Sequence, residues 1–296
     1  MNLIALFLLC ITLCGCSSAS EKIMVENVDN GIAENVMAQT SAEEKFLYGA
    51  DISEDNLAKD IPSFEELTGK HDIYADEIYI TEPAKAESFI LECYASGKTP
   101  YIILKTQNNI RKDNFKESID NMAEIIGKYQ VPVFVEIFEN DYFSDSNNEY
   151  YKYEAEKFYE KNAFVKRVWS IKADDIMIAD KYCPDSDVDY ICVNGYFDTA
   201  KEAERFFTEE NDYYNLDKPL ILRFGAVSFS SEGCTYTNDE ACSIISEVYE
   251  KAKKDTNIKG AIYMDKSNRI SNKTAYSNYY ITIDKIVTEA YKKSIS

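Results

Sequence analysis

The sequence predicts an α/β protein built as a single (β/α)8 barrel, and three observations predict it. Short apolar runs rich in Val, Ile and Tyr alternate with stretches whose apolar residues recur every three or four positions, the marks of strands and amphipathic helices. Eight such strand candidates lie within residues 45–296. That span matches the roughly 250 residues typical of a closed eight-stranded barrel. An open doubly wound sheet is the alternative. It would usually need fewer strands and a glycine-rich first turn, which "YGADISEDN" is not.

The strand candidates run in order as "FLYGAD" (46–51), "EIYI" (77–80), "PYIILK" (100–105), "VPVFVEIF" (131–138), "RVWSI" (167–171), "DYICVNGY" (189–196), "PLILRF" (219–224) and "GAIYMD" (260–265). Helix candidates separate them: 83–97, 116–129, 150–162, 200–211 and 239–254, with a last one at 282–293. Each carries an apolar stripe suited to packing on the outside of a sheet.

Composition excludes several functions. The net charge of −20 and pI near 4.5 argue against nucleic acid, because phosphate contact needs a Lys/Arg footprint. A single histidine, His71, leaves little scope for a metal centre or a His-based triad, and it reads as a surface residue in the polar stretch "TGKHDIYAD". No glycine-rich phosphate loop occurs among the 10 glycines, so no cofactor is expected. Cys192 reads as a small buried hydrophobe, and Cys234 and Cys242 are close enough in sequence to pair across one loop.

The N-terminus predicts an address. "MNLIALFLLCITLCGCSS" has an apolar run from Leu3 to Leu13, too short to span a bilayer stably. Leu13-Cys14-Gly15-Cys16 follows it and resembles a bacterial lipoprotein processing box, although no Lys or Arg precedes the apolar run. This resemblance implies a signal peptide over residues 1–15, a lipid on the Cys16 thiol and an extracytoplasmic, membrane-anchored protein. A plain secretory signal is the alternative. Residues 16–44 are polar, small and poorly periodic, as in a flexible tether. The barrel occupies 45–296.

Active sites of such barrels lie at the C-terminal strand ends, the mouth. The predicted strands bring Asp51, Lys105, Glu136, Glu139, Trp169, Asn194, Tyr196, Arg223 and Asp265 there. Carboxylates, an amide and aromatic rings together suit a sugar, with rings stacking on pyranose faces and polar groups binding hydroxyls.

The segment "YCPDSDVDYICVNGY" (182–196) is similar to the sixth strand of glycoside hydrolase family 26, the β-mannanase-like barrels. Tyr182, Asp185, Val188, Asp189, Asn194 and Tyr196 fall in step with that pattern. "RVWSI", "KPLILRFG" and "GAIYMDKSN" resemble its fifth, seventh and eighth strands. The resemblance implies a polysaccharide or oligosaccharide partner and a retaining mechanism. That mechanism needs an acid/base carboxylate ending strand 4 and a nucleophilic carboxylate ending strand 7, about 5–5.5 Å apart. Glu139 in "IFEND" matches the acid/base, with Phe138 where the family has histidine. A gapless count from Pro132 places Asn140 there instead.

Strand 7 departs from the family, carrying Arg223 at the nucleophile position, and a guanidinium cannot attack an anomeric carbon. Two functional readings follow. The chain is a cell-surface glycan-binding lipoprotein on a barrel that has lost retaining hydrolysis. Alternatively it is an active β-glycan endo-hydrolase that pairs Glu139 or Glu136 with Asp51, Asp265 or Glu232. A structural surface protein with a plugged mouth is a third possibility. On the first reading Trp169 and Tyr196 should line the mouth. Arg223 should hydrogen-bond Asp51, Asp265 or Glu139.

Overall fold

The computed structural model describes residues 45–52, 60–106, 112–137, 145–184, 186–208, 217–230, 235–269 and 276–296. Eight parallel strands close into a barrel: β1 (Leu47–Ile52), β2 (Ile73–Tyr79), β3 (Thr99–Lys105), β4 (Val133–Ile137), β5 (Val165–Lys172), β6 (Tyr190–Phe197), β7 (Leu220–Ala226) and β10 (Ile258–Asp265). Each predicted strand overlaps its counterpart. The second begins four residues before the predicted Glu77, at Ile73. The seam joins β1 to β10 in register from Leu47↔Gly260 to Ile52↔Asp265. Gly260 permits it, since a Cβ there would stand 2.7 Å from the Leu47 carbonyl oxygen.

Helices α2 (Pro83–Ala95), α3 (Lys112–Lys128), α4 (Asp145–Lys161), α6 (Ala200–Thr208), α7 (Asn238–Lys254) and α8 (Lys285–Ser294) match the predicted ones. Two more were not predicted: α1 (Ile61–Thr68) and α5 (Ala179–Tyr182), the latter after a 3-10 turn at Ala173–Ile178. The signal for α1 was local. Asp60 caps it by accepting from the Ser63 N–H at 2.8 Å, a proline sits in its first turn, and Gly69 ends it with φ 97°. Also unpredicted is a small antiparallel sheet in the order β11 (Ser267–Arg269), β12 (Tyr276–Asn278), β8 (Phe229–Ser230), β9 (Thr235–Tyr236). It joins the segments that follow β7 and β10.

At the opposite, N-terminal end of the barrel, Arg167 binds Asp187 at 2.7 Å and Asp189 at 3.0 Å, and its backbone N–H donates to Asp189 at 2.8 Å. Asp189 belongs to the sugar-site-like segment. Its role here is to tie the start of β6 to β5, as expected for residues at the bottom of a barrel.

His71 is buried, contrary to its reading as a surface residue. Its Nε2 bonds the Tyr291 hydroxyl at 2.7 Å and its Nδ1 the Tyr74 hydroxyl at 3.1 Å. It therefore joins β2 to α8. Burial lowers its pKa from 6.5 to about 4. The folded state thus takes up the proton later than the unfolded chain. Stability from this group is complete above about pH 6.5, falls as pH drops toward about 4, and changes no further below. The full span is worth up to about 3 kcal/mol. His71→Gln should abolish that part of the acid sensitivity. Urea midpoints at pH 7.5 and 4.5, compared between the two proteins, should show a smaller drop for the variant; equal drops would contradict this account.

Candidate functional site

Parallel neighbours in register share a face of the sheet, so the strand pairings define which side chains enter the lumen. Its floor is apolar: Ile73, Ala75, Tyr101, Ile103, Phe134, Val168, Cys192, Ile221 and Ile262 form one buried cluster. Two residues further along several strands, the same face turns polar. It carries Asp51, Glu77, Lys105, Glu136, Asn194 and Arg223, with Tyr196 beyond Asn194.

Asp51, Glu136, Asn194, Tyr196 and Arg223 are therefore brought together as predicted. Trp169 and Asp265 are not. Trp169 pairs in register with Ile137 and Ile191, and Asp265 with Ile52, all on the outward face. Trp169 is buried in the barrel wall and offers no ring to the mouth. Asp265 accepts the Ile281 N–H at 2.6 Å, and burial pushes its pKa up to about 8. Glu139, Phe138, Asn140, Asp185, Glu232 and Cys234 lie outside the described residues, as does Cys16. Cys192 is buried as expected, and Cys242 is a free thiol.

Arg223 enters the lumen, where its described partners are Asn194 and Glu136; the predicted Glu139 lies outside the described residues. The Arg223 Nε donates to Asn194 Oδ1 at 2.7 Å, and its Nη1 stands 3.4 Å from Glu136 Oε2. Tyr101 also donates to Glu136 Oε2, at 2.8 Å. The other two predicted carboxylates are placed otherwise. Asp265 faces away, and Asp51 is engaged by a cation from beyond its own neighbour strand: Lys266 binds Asp51 at 2.9 Å and Glu77 at 2.6 Å. Lys105 completes the chain, 3.7 Å from Glu77.

Arg223 is 1% exposed and Glu136 0%. Burial disfavours the charge of the guanidinium, but Glu136 more than offsets this, and the Arg223 pKa is raised well above the ordinary value. Lys266 behaves alike: burial disfavours its charge, and Asp51, then Glu77, restore it. Glu77 is opposed by burial and held at about 2 chiefly by Lys266 and then Lys105.

The lumen at this level is thus a closed lattice of paired charges. Glu77, held ionised by its two lysines, is not placed to donate a proton, and β7 offers no carboxylate. Glu77 and Lys266 escaped the sequence reading. Starting strand 2 at Glu77 hid its inward position near the strand end, and Lys266 lies one residue past the end of β10.

Off the barrel axis the surface opens. A cleft of about 350 Å³ lies at the ends of β5 and β6, bordered by Lys172, Asp174, Asn194, Tyr196, Glu202 and Arg205. Tyr196 is 38% exposed, and its ring packs on Tyr279 at 4.9 Å.

No protein-family model matches the chain, and no curated protein matches it. Solved structures do. A GH113 β-1,4-mannanase is 11% identical, with TM-score 0.60, over 84% of this chain and 98% of that one. A family 26 endo-β-1,4-mannanase from Cellulomonas fimi is 12% identical, with TM-score 0.63, over 86% of this chain and 71% of that one. The fold is that of the mannanase barrels. A Ruminococcus gnavus β-glucuronidase is also similar, at 11% identity and TM-score 0.60, but this chain spans only 50% of its length. Such identities speak for the fold alone.

Removing one member of a buried pair strands the other. Arg223→Met should destabilise the protein by about 3–5 kcal/mol, because Glu136 loses its cation in a dry lumen. Adding Glu136→Gln should return most of that loss. Urea denaturation of the single and double variants tests this; two independent, additive losses would refute the pairing.

Proposed function

We propose that this protein is a cell-surface lipoprotein that uses a glycoside-hydrolase-like barrel to hold extracellular glycan without retaining hydrolysis. The observation that carries the reading is Arg223. It occupies the strand-7 position where the resemblance calls for a nucleophile, and it is bound to Asn194 and close to Glu136. A protonated guanidinium cannot form a glycosyl-enzyme bond. Reversing that arrangement would require breaking a buried ion pair. The polar mouth with Tyr196 and Asn194 keeps groups suited to a sugar. Fold alone does not decide function, so the ligand class rests on these groups and on the mannanase neighbours.

The ligand of choice for a first test is β-1,4-mannan, the polysaccharide on which those neighbouring mannanases act. The protein should be retained on immobilised mannan and release no reducing ends. Hydrolysis by the unmodified protein, abolished by Glu139→Gln, would replace this reading with that of an endo-hydrolase using a non-standard second carboxylate.

Anchoring follows from Leu13-Cys14-Gly15-Cys16. The mature chain would begin at Cys16 and sit on the outer side of a bacterial cell membrane, with residues 16–44 as tether. Mass spectrometry of the N-terminal peptide should find an acylated cysteine; a mature protein cut elsewhere and shed into the medium would exclude the anchor.

A further inference from the structure

We infer that the saccharide binds off the barrel axis, in the cleft at the ends of β5 and β6, as a neutral oligosaccharide stacked on Tyr196. This rests on the glycan-binding reading and locates the site within it.

Three parts of the mouth are already filled among the described residues. On the β1–β2–β3 side, Lys266 and Lys105 tie Asp51 and Glu77 into one chain of ion pairs. In the centre, Arg223, Glu136, Asn194 and Tyr101 bond one another and are buried. On the β7–β10 side stands the small antiparallel sheet. Ser228 N–H donates to the Asn278 carbonyl at 2.8 Å, and Tyr279 N–H to the Lys266 carbonyl at 3.0 Å. At the β5–β6 side, among the described residues, a cleft of about 350 Å³ falls at the lower end of the range for small-molecule sites.

The cleft has the chemistry a sugar needs. Tyr196 gives a half-open aromatic face, and Tyr279 behind it fixes the ring's tilt. Gly225 lets the two rings meet, since a Cβ there would come within 3.1 Å of Tyr279 and 3.3 Å of Tyr196. Phe206 supplies an apolar wall. Around the rim stand two cations, Lys172 and Arg205, and two carboxylates, Asp174 and Glu202. Sugar hydroxyls both donate and accept, so a rim with equal numbers of each sign suits a neutral saccharide better than a uronate. Lys172 comes from β5, Tyr196 from β6 and Arg205 from α6, so rigid elements hold the three groups.

Isothermal titration of β-1,4-mannohexaose into the full mature chain tests this. Tyr196→Ala should weaken binding roughly fivefold or more through lost stacking, and Tyr196→Phe should restore it to within about twofold. Arg205→Ala, on the exposed side of α6, should also weaken it. Hydrogen exchange in the presence of the saccharide should slow in 172–174 and 194–206. Unchanged affinity in both alanine variants, or protection confined to other segments, would overturn the site while leaving glycan binding intact. Tighter binding of an oligouronate than of mannohexaose would overturn the neutral ligand. No binding of any glycan by the unmodified protein would overturn both the site and the reading on which it rests.

Discussion

A guanidinium buried in the barrel lumen sets the terms for everything around it. Arg223 cannot be discharged, so a carboxylate and an amide must be brought to it from other strands. Glu136 and Asn194 answer that need, and in doing so Glu136 becomes unreachable to solvent. Tyr101 on β3 adds a hydrogen bond to the same oxygen of Glu136 that faces Arg223. One guanidinium on β7 thus draws four strands into a single buried network and serves as an internal strut.

Charge neutrality in the lumen extends the logic. Lys266 and Lys105 stand opposite Asp51 and Glu77, so each of these four charges has a partner within reach. Among the described residues the lumen charges balance, so the strong net negative charge of the chain is not seen in them. Acidity of the whole molecule and balance of the site are separate facts, and only the second bears on what the mouth can hold.

The barrel was legible because each strand is a short apolar run between amphipathic helices, and that rhythm survives without any alignment. The inward or outward sense of a residue was less legible. Trp169 sits near the end of its strand, as a mouth residue should, yet strand alternation turns it into the wall; the one-residue offset from Val168 and Ser170 decides this. Asp265 fails for the same reason. Glu77 was missed because a strand start was placed four residues late. His71 looked exposed because polar residues surround it in sequence, while its real partners, Tyr74 and Tyr291, are a strand and a C-terminal helix. Arg223 was found by sequence, but its partners depend on the pitch of strand against strand, which no local pattern encodes.

The seam between β1 and β10 has a kinetic meaning. The Lys266–Asp51 bond spans 215 residues of chain. Closing so long a loop costs entropy before any contact across the seam returns it, and distant pairings slow folding. The first strand must therefore wait for the last. Until the ring shuts, β1 and β10 each expose a bare edge, and Asp51 and Lys266 face water in place of each other. The strands between them can pair progressively, neighbour by neighbour. Sealing the ring buries two edges and brings Lys266 to both Asp51 and Glu77, so this part of the charge lattice depends on closure.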